Sequence, residues 1–297
     1  MNKTILRKQI NKLSYSKLCH VYKYLWDICS MLQYHTLCLM WAVSGHHRPV
    51  REKTKKVVAN VTFIYKSFER KEMAKRLFYC IQKYYPGVKA IIADDSRDPL
   101  QIDSPYVEII HLPFNSGLSK GINAALLKVK TPYVVRMDDD ELFTPFTHWE
   151  QQLEFLESHS DVDIVAVQAK NPIQVISTKT IKITESPYYK FNMNNAPKQL
   201  IVPHMTQIDD THYISGKVPN VFMARTEKYR SLGYDDNIRM IDHHEFFYRA
   251  AGILVSAMDM SAFVYHYHNP FDNNYNKYRN DYKGDQAYIY KKHYKKS

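Results

Sequence analysis

Between residues 61 and 169, short apolar runs alternate with helical stripes, and this alternation restricts the fold more than any other feature of the chain. Val61-Thr-Phe-Ile-Tyr65, Ala90-Ile-Ile-Ala93, Val107 to Leu112, Tyr133 to Met137 and Asp163 to Ala169 read as buried strands. Arg70 to Tyr85 carries Met73, Leu77, Cys80, Ile81 and Tyr84 on one helical face and is stopped by Pro86-Gly87. Leu118 to Lys128 and Trp149 to Glu157 read as further helices. Strand and helix joined by short loops predict an α/β fold, a parallel sheet covered on both faces. From Pro172 to Thr184 the character changes. Val175, Ser177, Lys179, Ile181 and Ile183 predict antiparallel strands, so residues 171–270 should build the other wall of a cleft. No internal repeat or low-complexity linker interrupts the chain.

The polar clusters fall where those strands end, and ligands of open parallel sheets bind beyond the carboxyl ends of the strands. Strand one runs into Lys66-Ser67-Phe68, strand two into Asp94-Asp95-Ser96, strand four into Asp138-Asp139-Asp140-Glu141. Four adjacent carboxylates raise one another's pKa, and a divalent cation relieves that cost. In an extended segment Asp138 and Asp140 project to one side and Asp139 to the other, so one pair can grip a hard metal while the middle acid bonds another group such as a ribose hydroxyl. Asp94 and Asp95 can accept a ring N–H of a uracil with Phe68 packed on the base, or form the Asx-turn of a strand exit. Further on, Ile241-Asp242-His243-His244-Glu245 precedes Phe246-Phe247, a helix start that could face the cleft with a proton-accepting group. His266 and His268 share one side of an alternating strand end, Phe263 to His268, and imidazole with carboxylate suits Mn²⁺.

Several classes are excluded. There is no GxxxxGK[ST] and no GxGxxG, so any phosphate must be met by a metal or by side chains. The four cysteines form no CxxC pair, which argues for a reducing, cytoplasmic setting. Net charge is +11, placed unevenly: +9 over residues 1–56, +5 over 277–297 and −3 between them. A nucleic-acid enzyme would surround its groove with that charge, so nucleic acid is not the expected partner. Basic ends interleaved with Tyr and Trp suit either a solubilising surface or the cytoplasmic face of an anionic membrane. Tyr24 to Val43 has the length of a membrane span but contains Asp27, Ser30, Gln33, His35 and Thr36. A helix packed on the body or lying in the interface is the expectation, and the segment does not read as a signal peptide.

The ordered set Val61 to Arg70, Asp94-Asp95-Ser96, Asn115 to Ala125, Asp138-Asp139-Asp140 and Asp242 to Phe247 resembles the inverting, family-two type of nucleotide-sugar glycosyltransferase with the GT-A fold. Phe78 to Asp98, Ser104 to Glu108, Leu112-Pro-Phe114, Asp138 to Phe143, Val218 to Lys228 and Leu232 to Asp235 are most similar to β-1,4-N-acetylgalactosaminyltransferases. The resemblance covers roughly residues 57–270. Residues 1–56 and the tail fall outside it, so three parts are expected. Residues 1–56 are a basic, largely helical extension. Residues 57–270 are a Rossmann-like GT-A domain, split into a nucleotide-binding half (57–170) and a smaller mixed acceptor half (171–270). Residues 271–297 are a basic, Tyr-rich tail.

The resemblance implies a UDP-sugar donor, Mn²⁺ or Mg²⁺, and a glycan or glycolipid acceptor in surface polysaccharide or glycolipid assembly. By position, Lys66, Phe68 and Asp95, with Ser67 and Asp94 beside them, fall where the family contacts uridine. Asp138 and Asp139 match sugar-nucleotide contacts, Asp138, Asp140 and His266 the metal side, and Asn220 a position near the donor sugar. Two positions depart from the pattern. Ile122 stands where the family has an arginine facing the diphosphate, leaving Lys120 to substitute. Asp242-His243 replaces the Glu-Asp pair that supplies the base, leaving Glu245, then Asp242, then His243 as candidates. The rival expectations are a sugar-nucleotidyltransferase and a catalytically dead glycan- or membrane-surface module.

Overall fold

The computed structural model describes residues 10, 13–43, 51–172, 198–279 and 282–293. The antiparallel strands expected over Pro172 to Thr184 lie almost wholly outside them. Two helices lead in, α1 (Cys19–Val43) and α2 (Arg51–Asn60). The Rossmann-like half follows as β1 (Val61–Ser67), α3 (Lys71–Tyr84), β2 (Lys89–Asp94), β3 (Val107–His111), α4 (Leu118–Lys128) and β4 (Tyr133–Arg136). Then come β5 (Glu141–Phe143), α5 (Trp149–Ser158), β6 (Ile164–Lys170), β7 (His212–Ile214), β8 (Phe222–Arg225), α6 (Thr226–Leu232), α7 (Asp242–Ala250) and β9 (Ser256–His266). The helices α8 (Asn273–Arg279) and α9 (Lys283–His293) belong to the tail.

The sheet order is β3-β2-β1-β4-β8-β6-β9-β5, with β7 on β9. β1, β2, β3 and β4 are mutually parallel, as the short apolar runs predict. β8, however, inserts antiparallel between β4 and β6, while β6 and β9 run parallel. Alternation along each strand divides the core. Phe63 and Tyr65 of β1 face one hydrophobic cluster with Phe143, Trp149 and Leu77. Ile64 faces the other, with Ile122, Phe222 and Phe246. All of these named side chains are fully shielded from water, which fixes the register of β1 and hence the exit point of Lys66.

Two pairings carry the site. β1 against β2 sets Ser67 opposite Asp94, so the polar ends of both strands leave the sheet together. β5 against β9 sets Glu141 opposite His266, bringing the acidic cluster to the late histidines. The segment Tyr24 to Val43 is helical as expected and packs on the body. No helix among the described residues is long and apolar enough to cross a membrane.

Candidate active site

At the carboxyl edge of β1, β2 and β4 lies a hollow lined by Lys66, Phe68, Arg70, Asn115, Gly117, Leu118, Asp138, Asp139, Arg239, Met240, Tyr275 and Tyr278. Lys66 reaches it because its stem lies over α4 at Gly121. A Cβ at Gly121 would come within 2.6 Å of the Lys66 Cδ. Gly117 enters α4 with φ +103°, a conformation that favours glycine, and Arg239 packs against it at 3.1 Å from where a Cβ would stand.

Lys66 Nζ donates to Asp95 Oδ1 at 2.5 Å, and Asp95 Oδ2 accepts the Gly117 N–H at 3.1 Å. Burial outweighs the pairing. It pulls Lys66 below and pushes Asp95 above their ordinary values, against the attraction each exerts on the other. Asp94 turns away into the following loop, where it accepts from the Ser96 hydroxyl at 2.6 Å and the Leu100 N–H at 2.7 Å. That is the turn-forming geometry of a strand exit. Ser67 is fully buried, and its Oγ has no hydrogen-bond partner.

The four acids separate by environment. Asp138 pairs with Arg136 at 2.8 Å, and Arg136 also donates to the Asn220 carbonyl at 2.7 Å. Asp139 and Asp140 share the Arg70 guanidinium, which lies 3.0 Å from Asp140 Oδ2. Burial pushes Asp139 up to about 7 against the pull of Arg70. Burial also opposes the Asp140 charge, but Arg70, His266 and His268 hold that carboxyl well below the usual carboxylate range. His266 Nε2 is 3.5 Å and His268 Nδ1 4.0 Å from Asp140, and the Tyr267 N–H donates to the Asp140 carbonyl at 2.6 Å. Glu141 points inward and accepts the Asp138 N–H at 2.9 Å; burial, then Asp138, push its pKa well up.

Carboxylate with imidazole is a donor set suited in kind to Mn²⁺. In arrangement, no group of three or more His, Cys, Asp or Glu side chains among the described residues is set to hold a metal ion, and Arg70 supplies the cation that Asp139 and Asp140 need. Lys120 is exposed and outside the hollow's lining, and Ile122 is buried in the core. The cations on the hollow are instead Lys66, Arg70 and Arg239. Arg70 and Arg239 were not anticipated from sequence. Arg239 lies outside any motif, and Arg70 closes the stretch Val61 to Arg70 just ahead of α3, where no role was attached to it.

α7 begins at Asp242, beside the lining residue Met240. Asp242 is 1% exposed and, after Asp138, is among the charges that keep the buried Arg136 guanidinium protonated. Glu245 is also buried but is held by Arg249 at 2.8 Å, Lys292 at 2.8 Å and His293 at 3.1 Å. Burial would raise its pKa, but Lys292, Arg249 and the His293 hydrogen bond bring it below the ordinary value. His243 Nε2 donates to the Val218 carbonyl, 2.5 Å away. Asn220 lies at the cluster's edge with a buried Oδ1 that has no partner.

The tail closes the arrangement. Tyr275 lies over the Arg70 guanidinium, 3.7 Å from ring centroid to Cζ, and Tyr278 meets Phe68 and Phe114 edge-on. Asp285 accepts the backbone N–H groups of Arg239, Met240 and Ile241 at 2.7–3.2 Å, just ahead of α7. The hollow left beneath has a volume of about 70 Å³. Sites that enclose a ligand of nucleotide size run to about 300–1,000 Å³.

Residues 62–207 match the family model described as Glycosyl transferase family 2. Over 200 residues the chain is 33% identical to β-1,4 N-acetylgalactosaminyltransferase 2 of Mus musculus, covering 66% of this chain and 37% of that protein. Over 199 residues it is 32% identical to β-1,4 N-acetylgalactosaminyltransferase 1 of Homo sapiens, covering 67% and 37%. The chain thus spans little more than a third of the length of these relatives. The solved structure of S. aureus TarS shares the fold at a TM-score of 0.50 and 16% identity, over 71% of this chain and 37% of that one.

Proposed function

Residues 62–207 belong to glycosyl transferase family 2, and on that footing we propose that the protein transfers an N-acetylhexosamine or hexose from a UDP-sugar to a glycan or glycolipid hydroxyl, with inversion at the anomeric carbon. The observation that carries this reading is the meeting, in one hollow, of Lys66 and Phe68 from the end of β1 with Asp138 and Asp139 from the end of β4, Asp95 being tied in through Lys66. The sugar class follows the names of the N-acetylgalactosaminyltransferase relatives.

In this reading Phe68 packs on the base, and Asp95, steadied by Lys66 and the Gly117 N–H, accepts from it. Arg70 and Arg239 offer the hollow positive charge for the diphosphate. The orphaned Ser67 Oγ and Asn220 Oδ1 are buried polar atoms that a bound donor can satisfy. The acceptor oxygen attacks C1 as the bond from C1 to the UDP oxygen breaks, and its proton passes to a carboxylate. We assign that carboxylate to Asp242. Glu245 is engaged by Arg249, Lys292 and His293 and is a weakened base, whereas Asp242 opens α7 beside the hollow.

A divalent cation belongs to the same reading. Asp140 and His266, with Asp138, would hold it once Arg70 gives way, and it would neutralise charge on the leaving diphosphate. The basic ends meet an anionic membrane surface, where a lipid-linked acceptor would be presented.

The test is UDP release from a panel of UDP-sugars, with and without EDTA, followed by addition of glycan acceptors. Donor-dependent UDP release that Asp242→Asn abolishes is the expected result. Pyrophosphate release from an NTP and a sugar phosphate, with no UDP release from any UDP-sugar, would overturn it.

A further inference from the structure

Eleven of the nineteen large hydrophobic side chains that stand exposed on the described residues lie between Leu13 and Val43. On α1 they recur at Val21, Leu25, Ile28, Leu32 and Leu39, a single stripe down a helix about 37 Å long. Leu32 and Leu39 are 63% and 64% exposed. The opposite side is fastened to the body. Trp26 Nε1 donates to the His268 carbonyl at 3.0 Å, the Tyr265 hydroxyl to the Ser30 carbonyl at 3.0 Å, and the Tyr34 hydroxyl to the Phe143 carbonyl at 2.7 Å. The helix is therefore held in place with its apolar stripe directed away from the catalytic core. So concentrated an apolar patch marks an interaction surface.

Charge decides the occupant. Residues 1–56 carry a net +9. A second copy would set two such segments against each other, at the cost of like-charge repulsion. An anionic bilayer complements both the stripe and its basic flanks, which is the pattern of a helix lying in the headgroup plane. We propose that the outward stripe of α1 docks on the surface of an anionic lipid bilayer. The proposal rests on the reading that the basic ends meet such a membrane, and it adds the face and the orientation. Trp26 is bonded to His268, and His268 neighbours Asp140, so docking along α1 fixes the distance of the active-site hollow from the lipid.

The test uses the full chain and no sugar substrate. Wild type and the triple variant Leu25→Glu, Leu32→Glu, Leu39→Glu are sedimented with phosphatidylcholine vesicles, alone or with about 30% phosphatidylglycerol. Expected is wild-type binding to the anionic vesicles only, weakened at least about tenfold in the variant while its Tm without lipid is unchanged. Equal binding of wild type to neutral vesicles overturns the charge reading beneath the proposal. Equal binding of wild type and variant to anionic vesicles overturns the assigned face. A wild type that stays in the supernatant, a variant that converts a dimer to a monomer, or one that loses several degrees of Tm without lipid also overturns it, the last by showing that the stripe packs within the chain.

Discussion

Tyr278 stands edge-on to Phe68, their ring centroids 5.1 Å apart. The ring assigned to the donor's base is therefore already in contact with a ring from the chain's own tail, and Tyr275 of the same tail lies on Arg70, so two tail side chains occupy lining positions of the hollow. Apparent affinity is reduced by the fraction of molecules in the competent state. Tyr278→Ala should therefore bind UDP about three- to tenfold more tightly than wild type in a calorimetric titration. Weaker binding would mean instead that Tyr278 is part of the donor site.

Asp242 and Glu245 are one helical turn apart and are expected to fail differently. Asp242→Asn should lower kcat by about 10²–10⁴-fold with KM little changed. Glu245→Gln should keep kcat within about tenfold of wild type and lose about 1–3 kcal/mol of stability, because it breaks the web of Arg249, Lys292 and His293. Steady-state kinetics and chemical denaturation of the same two proteins separate the roles.

Arg70 is the counter-charge to two buried carboxylates, so Arg70→Ala should be destabilised by about 3–5 kcal/mol. If Asp140 and His266 take a divalent ion, added Mn²⁺ should recover part of that loss and raise Tm more in the variant than in wild type. Thermal unfolding with Mn²⁺ and with EDTA reads both. An Arg70→Ala protein indifferent to Mn²⁺ would remove Asp140 from any metal role.

His243 gives a pH dependence of known sign. Burial, then Lys217, drive its imidazole well below the ordinary 6.5, so the folded protein keeps it neutral. The unfolded chain takes a proton below about pH 6.5. The stability contributed by His243 is therefore fully present above that pH and lost as pH falls below it, by up to about 1.4 kcal/mol per pH unit. His266 works in the opposite sense, because Asp140 overcomes the effect of burial and raises its pKa. His243→Gln retains a donor for the Val218 carbonyl, and its Tm between pH 5 and 7 should fall less steeply than that of wild type.

How legible the molecule was in its sequence depended on whether the signal was local. β1, β2, β4 and α4 follow from runs and stripes within a few residues, and they agree with the structure to within about two residues. The antiparallel placement of β8 did not follow, because the apolar run of Phe222 to Arg225 carries no mark of which strands it will separate. β5 was hidden for another reason. Glu141 belongs to the acidic run, and only its pairing with His266, far along the chain, makes it a strand. In the site, the clustered acids announced themselves. Arg70 and Arg239 did not, and the tail's tyrosines registered as composition without a location.

The place of β8 also governs how the protein can be made and cut. In a chain made from its N-terminus β4 and β6 precede residues 222–225, and until those exist the edge of β4 that β8 covers is unpaired and β6 lacks both of its neighbours, β8 and β9. Open edges of this kind invite pairing with other chains. Closure of the sheet thus waits on a late, sequence-distant strand, which makes assembly slow by topology. The nucleotide-binding half cannot be trimmed at residue 170 into a minimal unit, because the strand β8 that lies between β4 and β6 is donated by the half that would be discarded.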